Sequence, residues 1–230
     1  MRTFVSDEPD PPTPSAALLQ PLSPSGAGSS SERSAPQPSL FVPPLGPDVL
    51  DRPRIHSLID SAAAPGRLAM LLGPPGTGKT TAAALWARRC ERPVVWLDAE
   101  ESAGDPWEFY ADLIDELQRA TGTTGLSSII AYFEQPRPLR RMGAVLAREL
   151  LRRGTDAAIV VDHAELLGDE ALELVEVLAA RLSSLSWVLL AVSLDSDFIL
   201  TAETKLSGGV IDSEDLELTA EEALSVLREA

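Results

Sequence analysis

The stretch LLGPPGTGKTT, residues 71–81, decides the fold class of this chain. Its letters from Gly73 to Thr80 match GxxxxGK[ST], the pattern of a loop that holds the phosphates of a nucleotide. Such a loop follows a buried strand and opens a helix, and the apolar residues 67–73 and the breaker-free residues 80–90 predict that context. A plain Gly- and Pro-rich turn is the alternative, but the flanking strand and helix favour a phosphate-binding loop.

Each residue type in the loop has a chemical reason. Glycines allow backbone angles that are closed to residues with a Cβ atom, so that successive N–H groups can face phosphate oxygens. Lys79 is placed to reach the β- and γ-phosphates, the Thr80 hydroxyl can bind Mg²⁺, and the helix start adds the positive end of its dipole. The predicted nucleotide-binding residues of the loop are Gly73, Pro74, Pro75, Gly76, Thr77, Gly78, Lys79, Thr80 and Thr81.

Besides the Thr80 hydroxyl, the magnesium ion is expected to have an acidic ligand at the end of a neighbouring strand. The run AIVVDHAE supplies Asp162 there, so Thr80 and Asp162 are the predicted metal ligands, although an aspartate that only caps a turn is the alternative. His163 follows directly, and a neutral imidazole at this place could act as a weak base or could have no role. Asp162 and His163 are therefore the predicted catalytic residues.

Other acidic residues lie near the expected site. Glu165 is two residues beyond His163 and could substitute for it, but a two-residue step changes the direction of the side chain. Asp98, Glu100 and Glu101 follow an apolar run and could orient water or magnesium, but a solvated acidic loop is the simpler interpretation.

Composition and charge exclude several functions. The formal net charge is −16 and the isoelectric point about 4.5, so the chain is unsuited to bind DNA, RNA or an anionic membrane by itself. One cysteine and two histidines are too few for an internal disulfide or an obvious metal cluster, and the cysteine count predicts a cytoplasmic protein. The chain has no run of about 18 apolar residues, the length that predicts a membrane span.

The chain divides into two segments of different composition. Residues 1–45 are rich in Pro and Ser, which predicts a disordered tail, with a docking or phosphorylated segment as the alternative. Apolar strands then alternate with helical patterns, so residues 46–230 are predicted to form one P-loop NTPase domain. Its α/β fold should have a parallel sheet with helices on both faces. The predicted strands are 67–73, 93–99, 156–165, 186–193 and 210–218.

Capping signals predict where helices begin. Asp105 and Pro106 open one helix, with Glu108 at the capping-box position. Thr219 and Glu222 form the capping box of the last helix. The remaining predicted helices are 80–90, 139–152 and 169–182.

Several stretches together resemble one known family. They are DRPRIHSLIDSAAAPGRLAMLLGPPGTGKTTAAALWA, PVVWLDAEESAGDPWEFYADLIDEL, AAIVVDHAELL and SWVLLAVS, which come in the family's order within residues 48–230. They resemble the nucleotide-binding domain of the large ATP-binding LuxR-type transcriptional regulators, in the STAND class of signal-transduction ATPases. The resemblance implies a parallel sheet of about five strands with the phosphate-loop strand in the middle. It also implies ATP or ADP with Mg²⁺ as ligands, and Arg52 and Pro53 close to the adenine.

The resemblance implies a role as well. In that family, nucleotide and inducer together switch the protein between a closed monomer and an active oligomer, and a separate helix-turn-helix module binds DNA. No such module is recognisable in this sequence, so the chain is expected to be a fragment or a stand-alone remnant of a larger switch protein. Adenine is the expected base, because no NKxD-like guanine-reading segment follows the last strands.

Two departures from the family pattern concern hydrolysis. After the fourth strand the family has Ser-Arg, whose arginine senses the γ-phosphate, and this chain has Ser193 and Leu194. Where the family has two adjacent acids, this chain has Asp162 followed by His163. Both changes weaken hydrolysis and leave binding intact, so ATP is expected to act as a bound ligand that sets conformation, with slow or absent turnover.

Three other functions stay open at this point. An AAA-type ATPase would need a trans-acting arginine finger and a helical lid after the core. A P-loop small-molecule kinase would need arginines that close over the phosphates, and only Arg137, Arg140 and Arg141 are placed to supply them. A structural adaptor would use its nucleotide only to stabilise the fold.

Overall fold

The computed structural model describes residues 42–102, 104–132, 139–191 and 209–229 of the chain. Its helices and strands, in chain order, are α1 (Pro53–Ala62), β1 (Leu68–Leu72), α2 (Lys79–Arg89), β2 (Val94–Asp98), α3 (Pro106–Thr121), α4 (Ser127–Tyr132), α5 (Leu139–Arg153), β3 (Ala157–Asp162), a 3₁₀ turn (Ala164–Leu166), α6 (Asp169–Arg181), β4 (Leu185–Ala191), β5 (Gly209–Ile211), α7 (Ser213–Leu216) and α8 (Ala220–Glu229). None of the described helices has the length and apolar content that crossing a bilayer requires.

Five parallel strands form one sheet in the order β2-β3-β4-β1-β5. β1 pairs with β4 on one side and with β5 on the other, and β3 pairs with β2 and β4. The predicted α/β fold with a five-stranded parallel sheet is therefore confirmed. The expectation that β1 is the middle strand is wrong, because β3 and β4 both lie between β2 and β1. β4 takes the middle position, and β1 is still an interior strand.

Side chains along each strand alternate between two apolar clusters, one on each face of the sheet. On β1, Leu68, Met70 and Leu72 belong to the cluster with α3, α5 and α6, whereas Ala69 and Leu71 belong to the cluster with α1 and α2. Burial on both faces explains why the strands appear in the sequence as continuous apolar runs. It also fixes β1, and hence the start of the phosphate loop, in the interior of the domain.

The third strand is shorter than predicted. β3 ends at Asp162 and does not continue to residue 165. His163 adopts a left-handed conformation with φ of 50° and ψ of 38°, and the 3₁₀ turn follows it directly. The strand ends at this point because left-handed backbone angles cannot continue a β ladder.

The last predicted strand, 210–218, is mostly wrong. β5 ends at Ile211, and Asp212 then caps the short helix α7. The Asp212 carboxylate accepts hydrogen bonds from the backbone amides of Glu214 (2.9 Å) and Asp215 (3.1 Å). An aspartate in this position satisfies the free amides of a first helical turn, so it favours a helix over an extended strand.

The predicted helix starts are confirmed. Asp105 accepts hydrogen bonds from the amides of Trp107 (2.7 Å) and Glu108 (3.4 Å) at the start of α3. At α8, the Glu222 amide donates to the Thr219 hydroxyl (3.2 Å), and the Thr219 amide donates to the Glu222 carboxylate (2.9 Å). By contrast, α1 has no side-chain cap, and the residue that favours its start is Pro53 in the first turn.

Some sequence-based expectations fall outside the described residues. The predicted disordered tail, 1–45, overlaps the described part of the chain only at residues 42–45. Ser193 and Leu194, which replace the family's γ-phosphate sensor, and Arg137 of the arginine cluster also lie outside it. The predicted loop, acids and helix caps discussed above all lie within the described ranges.

Candidate nucleotide-binding site

A cleft of about 410 Å³ lies at the carboxyl edge of the sheet, where β1 and β3 end. This edge is where open parallel sheets of α/β proteins bind their ligands. The cleft brings together most of the site residues that the sequence predicts, and adds Glu165 and Leu190. Its lining residues are Pro75, Gly76, Gly78, Lys79, Thr80, Thr81, Asp162, His163, Glu165 and Leu190.

The loop after β1 depends on two glycines in left-handed backbone conformation. Gly76 has φ of 87° and Gly78 has φ of 85°. A Cβ atom at either position would meet nothing within 4 Å, so the requirement is for the backbone angles and not for space. Thr77 closes the loop between them, because its hydroxyl donates a hydrogen bond to the Pro74 carbonyl at 2.9 Å. The two left-handed glycines and this hydrogen bond together define the conformation of the loop.

Lys79 is buried at the first position of α2, with 9% of its surface exposed. Its ammonium group donates hydrogen bonds to the carbonyl oxygens of Gly73 (2.5 Å) and Pro74 (3.1 Å). Both acceptors are neutral, so these contacts compensate the buried positive charge only in part. An anionic ligand in the cleft would supply stronger, charge-assisted hydrogen bonds to the same ammonium group.

Thr80 and Asp162 meet across the floor of the cleft. The Thr80 hydroxyl lies 3.3 Å from Oδ1 of Asp162, whose residue surface is only 5% exposed. Burial raises the pKa of the Asp162 carboxyl above its usual range, although hydrogen bonds from Thr80 and from the His163 amide oppose that rise. A buried carboxylate beside a hydroxyl is an oxygen donor set that fits Mg²⁺, and a cation there would favour the charged carboxylate.

His163 is held by an aspartate on the neighbouring strand. The pairing of β2 with β3 sets Asp98 opposite Asp162, and Oδ1 of Asp98 lies 2.8 Å from Nδ1 of His163. This hydrogen bond raises the pKa of the His163 imidazole, and partial burial opposes the rise. Asp98 therefore belongs to the edge of the candidate site, and the interpretation as a purely solvated loop residue does not describe it.

We expect Asp98→Asn to lower the pKa of His163, because the substitution removes the negative charge that stabilises the imidazolium. The pH titration of the imidazole signals by NMR measures this, with a His56→Asn variant to assign the two histidines. A pKa raised on folding stabilises the protein at low pH, and that contribution is lost as the pH rises through the folded-state value. Below neutral pH, Asp98→Asn should therefore reduce the stability of the protein. The effect should be small, because the pair is partly exposed.

The control for this prediction is Glu101→Gln, which removes an exposed charge from the same loop. Glu101 is not among the groups that shift the pKa of His163. If Asp98→Asn and Glu101→Gln leave the same His163 pKa as the unchanged chain, the Asp98–His163 contact does not form in solution.

Arg52 and Pro53, which the family resemblance puts near the adenine, do not line this cleft. The Arg52 guanidinium donates to the Glu217 carbonyl (2.7 Å) and pairs with the Glu222 carboxylate (3.2 Å). Pro53 begins α1 and lines a second cleft, of about 320 Å³, together with Trp86. The described structure thus gathers most of the expected phosphate-binding residues into one cleft, and leaves the expected adenine-binding residues outside it.

The arginines that a kinase lid would need are not found at the described part of the cleft. Arg140 pairs with Glu173 of α6 at 3.2 Å, and both side chains are largely exposed. Neither Arg140 nor Arg141 lines the cleft, and Lys79 is the one basic residue besides His163 among its described lining residues. The described residues therefore give no support to the arginine lid that a small-molecule kinase would need.

The fold and the cleft together define a class of protein. A glycine loop between a buried parallel strand and a helix, beside an acid at the end of a neighbouring strand, is characteristic of P-loop NTPases. Residues 64–196 match a family model described as AAA domain (AAA_22). The chain therefore belongs to this family of P-loop ATPase domains. None of the curated proteins compared with the chain matches it in sequence.

A solved structure of low sequence identity supports the fold. Cdc6p from Pyrobaculum aerophilum superposes with a TM-score of 0.51 at 17% identity, over 83% of this chain and 52% of that chain. The Walker-type ATPase PABY2304 of Pyrococcus abyssi gives a TM-score of 0.46 at 20% identity, over 79% of this chain and 58% of that one. The chain thus spans little more than half the length of these two proteins. At such low identity the likeness to Cdc6p concerns the fold alone.

Proposed function

We propose that residues 46–230 form one module that binds ATP or ADP together with Mg²⁺ in the cleft after β1. The observation that carries this proposal is the convergence of Lys79, Thr80 and Asp162 on a loop with its glycines already in the required conformation. Lys79 and the free amides at the start of α2 would hold the phosphates. Thr80 and Asp162 would hold the Mg²⁺ ion, which neutralises phosphate charge when bound.

The further part of the proposal is that the nucleotide acts as a conformational switch with slow hydrolysis. The order of the sequence stretches that resemble LuxR-type regulators supports it, and so does the histidine in place of the second acid after β3. In this proposal the module is cytoplasmic, associates with itself in a nucleotide-dependent way, and reaches DNA only through other modules. The net charge of −16 is consistent with the last point, because the chain's own surface repels phosphate backbones.

A second candidate is an AAA-type ATPase that turns over its nucleotide. Membership of the AAA domain family favours it, and so does a carboxylate, Glu165, at the edge of the cleft. The two candidates share the binding site and differ in the rate of hydrolysis and in what the bound nucleotide changes.

The test is a titration of the purified chain with a fluorescent adenine nucleotide, with Mg²⁺ and with excess EDTA. We expect saturable binding that is tighter with Mg²⁺, and a Thr80→Ala variant that loses most of this Mg²⁺ dependence. Arg148→Ala, which removes an exposed side chain outside the cleft, is the control for nonspecific effects. Well-folded protein with no saturable signal would end the proposal in both its forms.

The switch is tested separately by measuring the molar mass in solution with ATP, with ADP and without nucleotide. A mass that changes with the nucleotide supports the switch. An identical mass in the three states, combined with turnover on the scale of about 1 s⁻¹ or faster, favours the ATPase candidate instead.

A further inference from the structure

Glu165 is the residue of the cleft whose role the sequence leaves open. It lies in the 3₁₀ turn Ala164–Leu166 after β3 and contributes to the lining of the phosphate cleft. Its Oε2 atom is buried and makes no hydrogen bond with any described residue. The expected change of side-chain direction therefore does not remove Glu165 from the cleft.

The backbone after β3 explains why Glu165 faces the cleft. The left-handed conformation of His163 ends the strand, and the turn is closed by hydrogen bonds from the Leu166 amide to the His163 carbonyl (2.8 Å) and from the Leu167 amide to the Ala164 carbonyl (3.2 Å). In a continued strand, side chains would alternate between the two faces of the sheet. The turn breaks this alternation, so Asp162, His163 and Glu165 all line the same cleft.

A buried carboxylate oxygen without a hydrogen-bond donor is unfavourable for folding. Such a group loses its contact with water and gains no protein contact in exchange. Groups of this kind are uncommon in folded proteins, and each one calls for an explanation. Glu165 therefore brings to the cleft a carboxylate with one buried oxygen that has no hydrogen-bond donor among the described residues.

The other acids and bases of the cleft are already engaged. Asp162 contacts the Thr80 hydroxyl and the His163 amide, which suits a metal ligand. His163 shares a hydrogen bond between its Nδ1 atom and Asp98. Of the described side chains that line the cleft and carry a carboxylate, Glu165 is the one with an unengaged buried oxygen.

We propose that Glu165 is the general base for hydrolysis of the bound nucleotide, in place of the acid that His163 replaces. This inference rests on the nucleotide binding proposed above. Glu165 accepts a proton from a water molecule as the water oxygen forms a bond to the γ-phosphorus. The bond between that phosphorus and the bridging oxygen breaks, and the bridging oxygen leaves with the electron pair on ADP. The products are ADP and inorganic phosphate, and the proton on Glu165 returns to solvent.

The first arm of the test is single-turnover hydrolysis of radiolabelled ATP with the protein in excess. Removing a general base costs a rate factor of at least about 100, so we expect Glu165→Gln to be slower by about that factor. Glu165→Asp keeps the carboxylate on a shorter side chain, so its hydrolysis rate should lie between the rates of Glu165→Gln and the unaltered chain. Glu170→Gln makes the same change of charge at an exposed position of α6 and should hydrolyse ATP at the unaltered rate.

The second arm does not depend on activity. Glu165→Gln should bind ATP with Mg²⁺ within about twofold of the unaltered affinity, because a base that contacts the water contributes little to holding the phosphates. Without nucleotide, the same variant should resist urea at least as well as the unaltered chain, since it removes a buried, unpaired charge. A merely structural Glu165 would instead make the variant less stable and weaken its binding.

The outcomes separate this inference from the proposal beneath it. If the chain does not bind nucleotide, the proposed function fails. If it binds ATP but Glu165→Gln hydrolyses it as fast as Glu170→Gln, only the role of Glu165 is overturned. Binding of ATP with no phosphate release above a Lys79→Ala variant also overturns the role of Glu165, and leaves the nucleotide switch in place.

Discussion

Trp187→Ala is expected to lower the free energy of unfolding by about 4 kcal/mol, within the range for removal of a large buried side chain. Trp187 is completely buried on β4, the middle strand of the sheet. Its Cα atom is paired with Leu68 of β1 on one side and with Ile159 of β3 on the other. Strands surround it on both sides and helices cover its face, so the neighbours have little room to fill the cavity.

The matched control is Trp187→Phe, which separates the effect of lost volume from the effect of the indole N–H group. The Nε1 atom of Trp187 is buried and has no hydrogen-bond partner among the described residues. Phenylalanine keeps an aromatic ring in the core and removes this unpaired N–H group. The gain from removing the N–H group should offset part of the lost packing, so we expect the change to stay within about 1.5 kcal/mol.

Urea unfolding followed by far-UV circular dichroism measures both variants without nucleotide. Because the folded core is shared by the sheet and both helical layers, the transition should shift as a whole. A Trp187→Ala variant that unfolds within about 1 kcal/mol of the unaltered chain would contradict the central position of β4, because surface substitutions have effects of that size or less.

The strands and most helices could be predicted because their signals are local. Continuous apolar runs identify strands that are buried on both faces, and the capping residues Asp105 and Thr219 identify helix starts. The order of the strands has no local signal. β1 is not the middle strand because β3 and β4 both lie between β2 and β1 in the sheet. This order depends on contacts between residues that are far apart in the sequence. Residues 212–218 do not continue the predicted strand, because Asp212 caps the first turn of α7.

The candidate site likewise contains residues that the sequence identifies and residues that it does not. The glycine loop is one contiguous stretch with its chemistry in the order of its letters, so its residues could be named from the sequence alone. Asp98 and Glu165 could not be placed, since each depends on a structural event elsewhere. Asp98 reaches His163 because β2 pairs with β3, and Glu165 faces the cleft because His163 takes left-handed backbone angles. A non-glycine residue at positive φ leaves no reliable trace in a single sequence.

Lys79→Ala is expected to weaken the binding of ATP by roughly a thousand-fold, which corresponds to about 4 kcal/mol. The Lys79 ammonium is buried at the cleft and held by two neutral carbonyl groups. A triphosphate would exchange these contacts for charge-assisted ones, and the variant would leave the phosphates desolvated without a matching charge. Titration with the fluorescent adenine nucleotide at fixed ionic strength measures the loss.

Two variants show whether the ammonium group itself is responsible. Lys79→Arg keeps the charge, but a planar guanidinium with a longer reach cannot occupy the place between the Gly73 and Pro74 carbonyls, so it should bind almost as poorly as Lys79→Ala. Arg148→Ala removes an exposed positive charge outside the cleft and should bind normally, which excludes an effect of net charge.

Thermodynamic linkage gives the same prediction an independent measurement. A ligand at about 100 times its dissociation constant stabilises the folded chain by about 2.7 kcal/mol, so ATP with Mg²⁺ should raise the urea midpoint of the unaltered chain. The same ATP concentration should leave the midpoint of Lys79→Ala in place, because a thousand-fold weaker site would be mostly empty. If ATP stabilises both proteins equally, the nucleotide binds somewhere other than the loop after β1, and the site argued from Lys79, Thr80 and Asp162 is wrong.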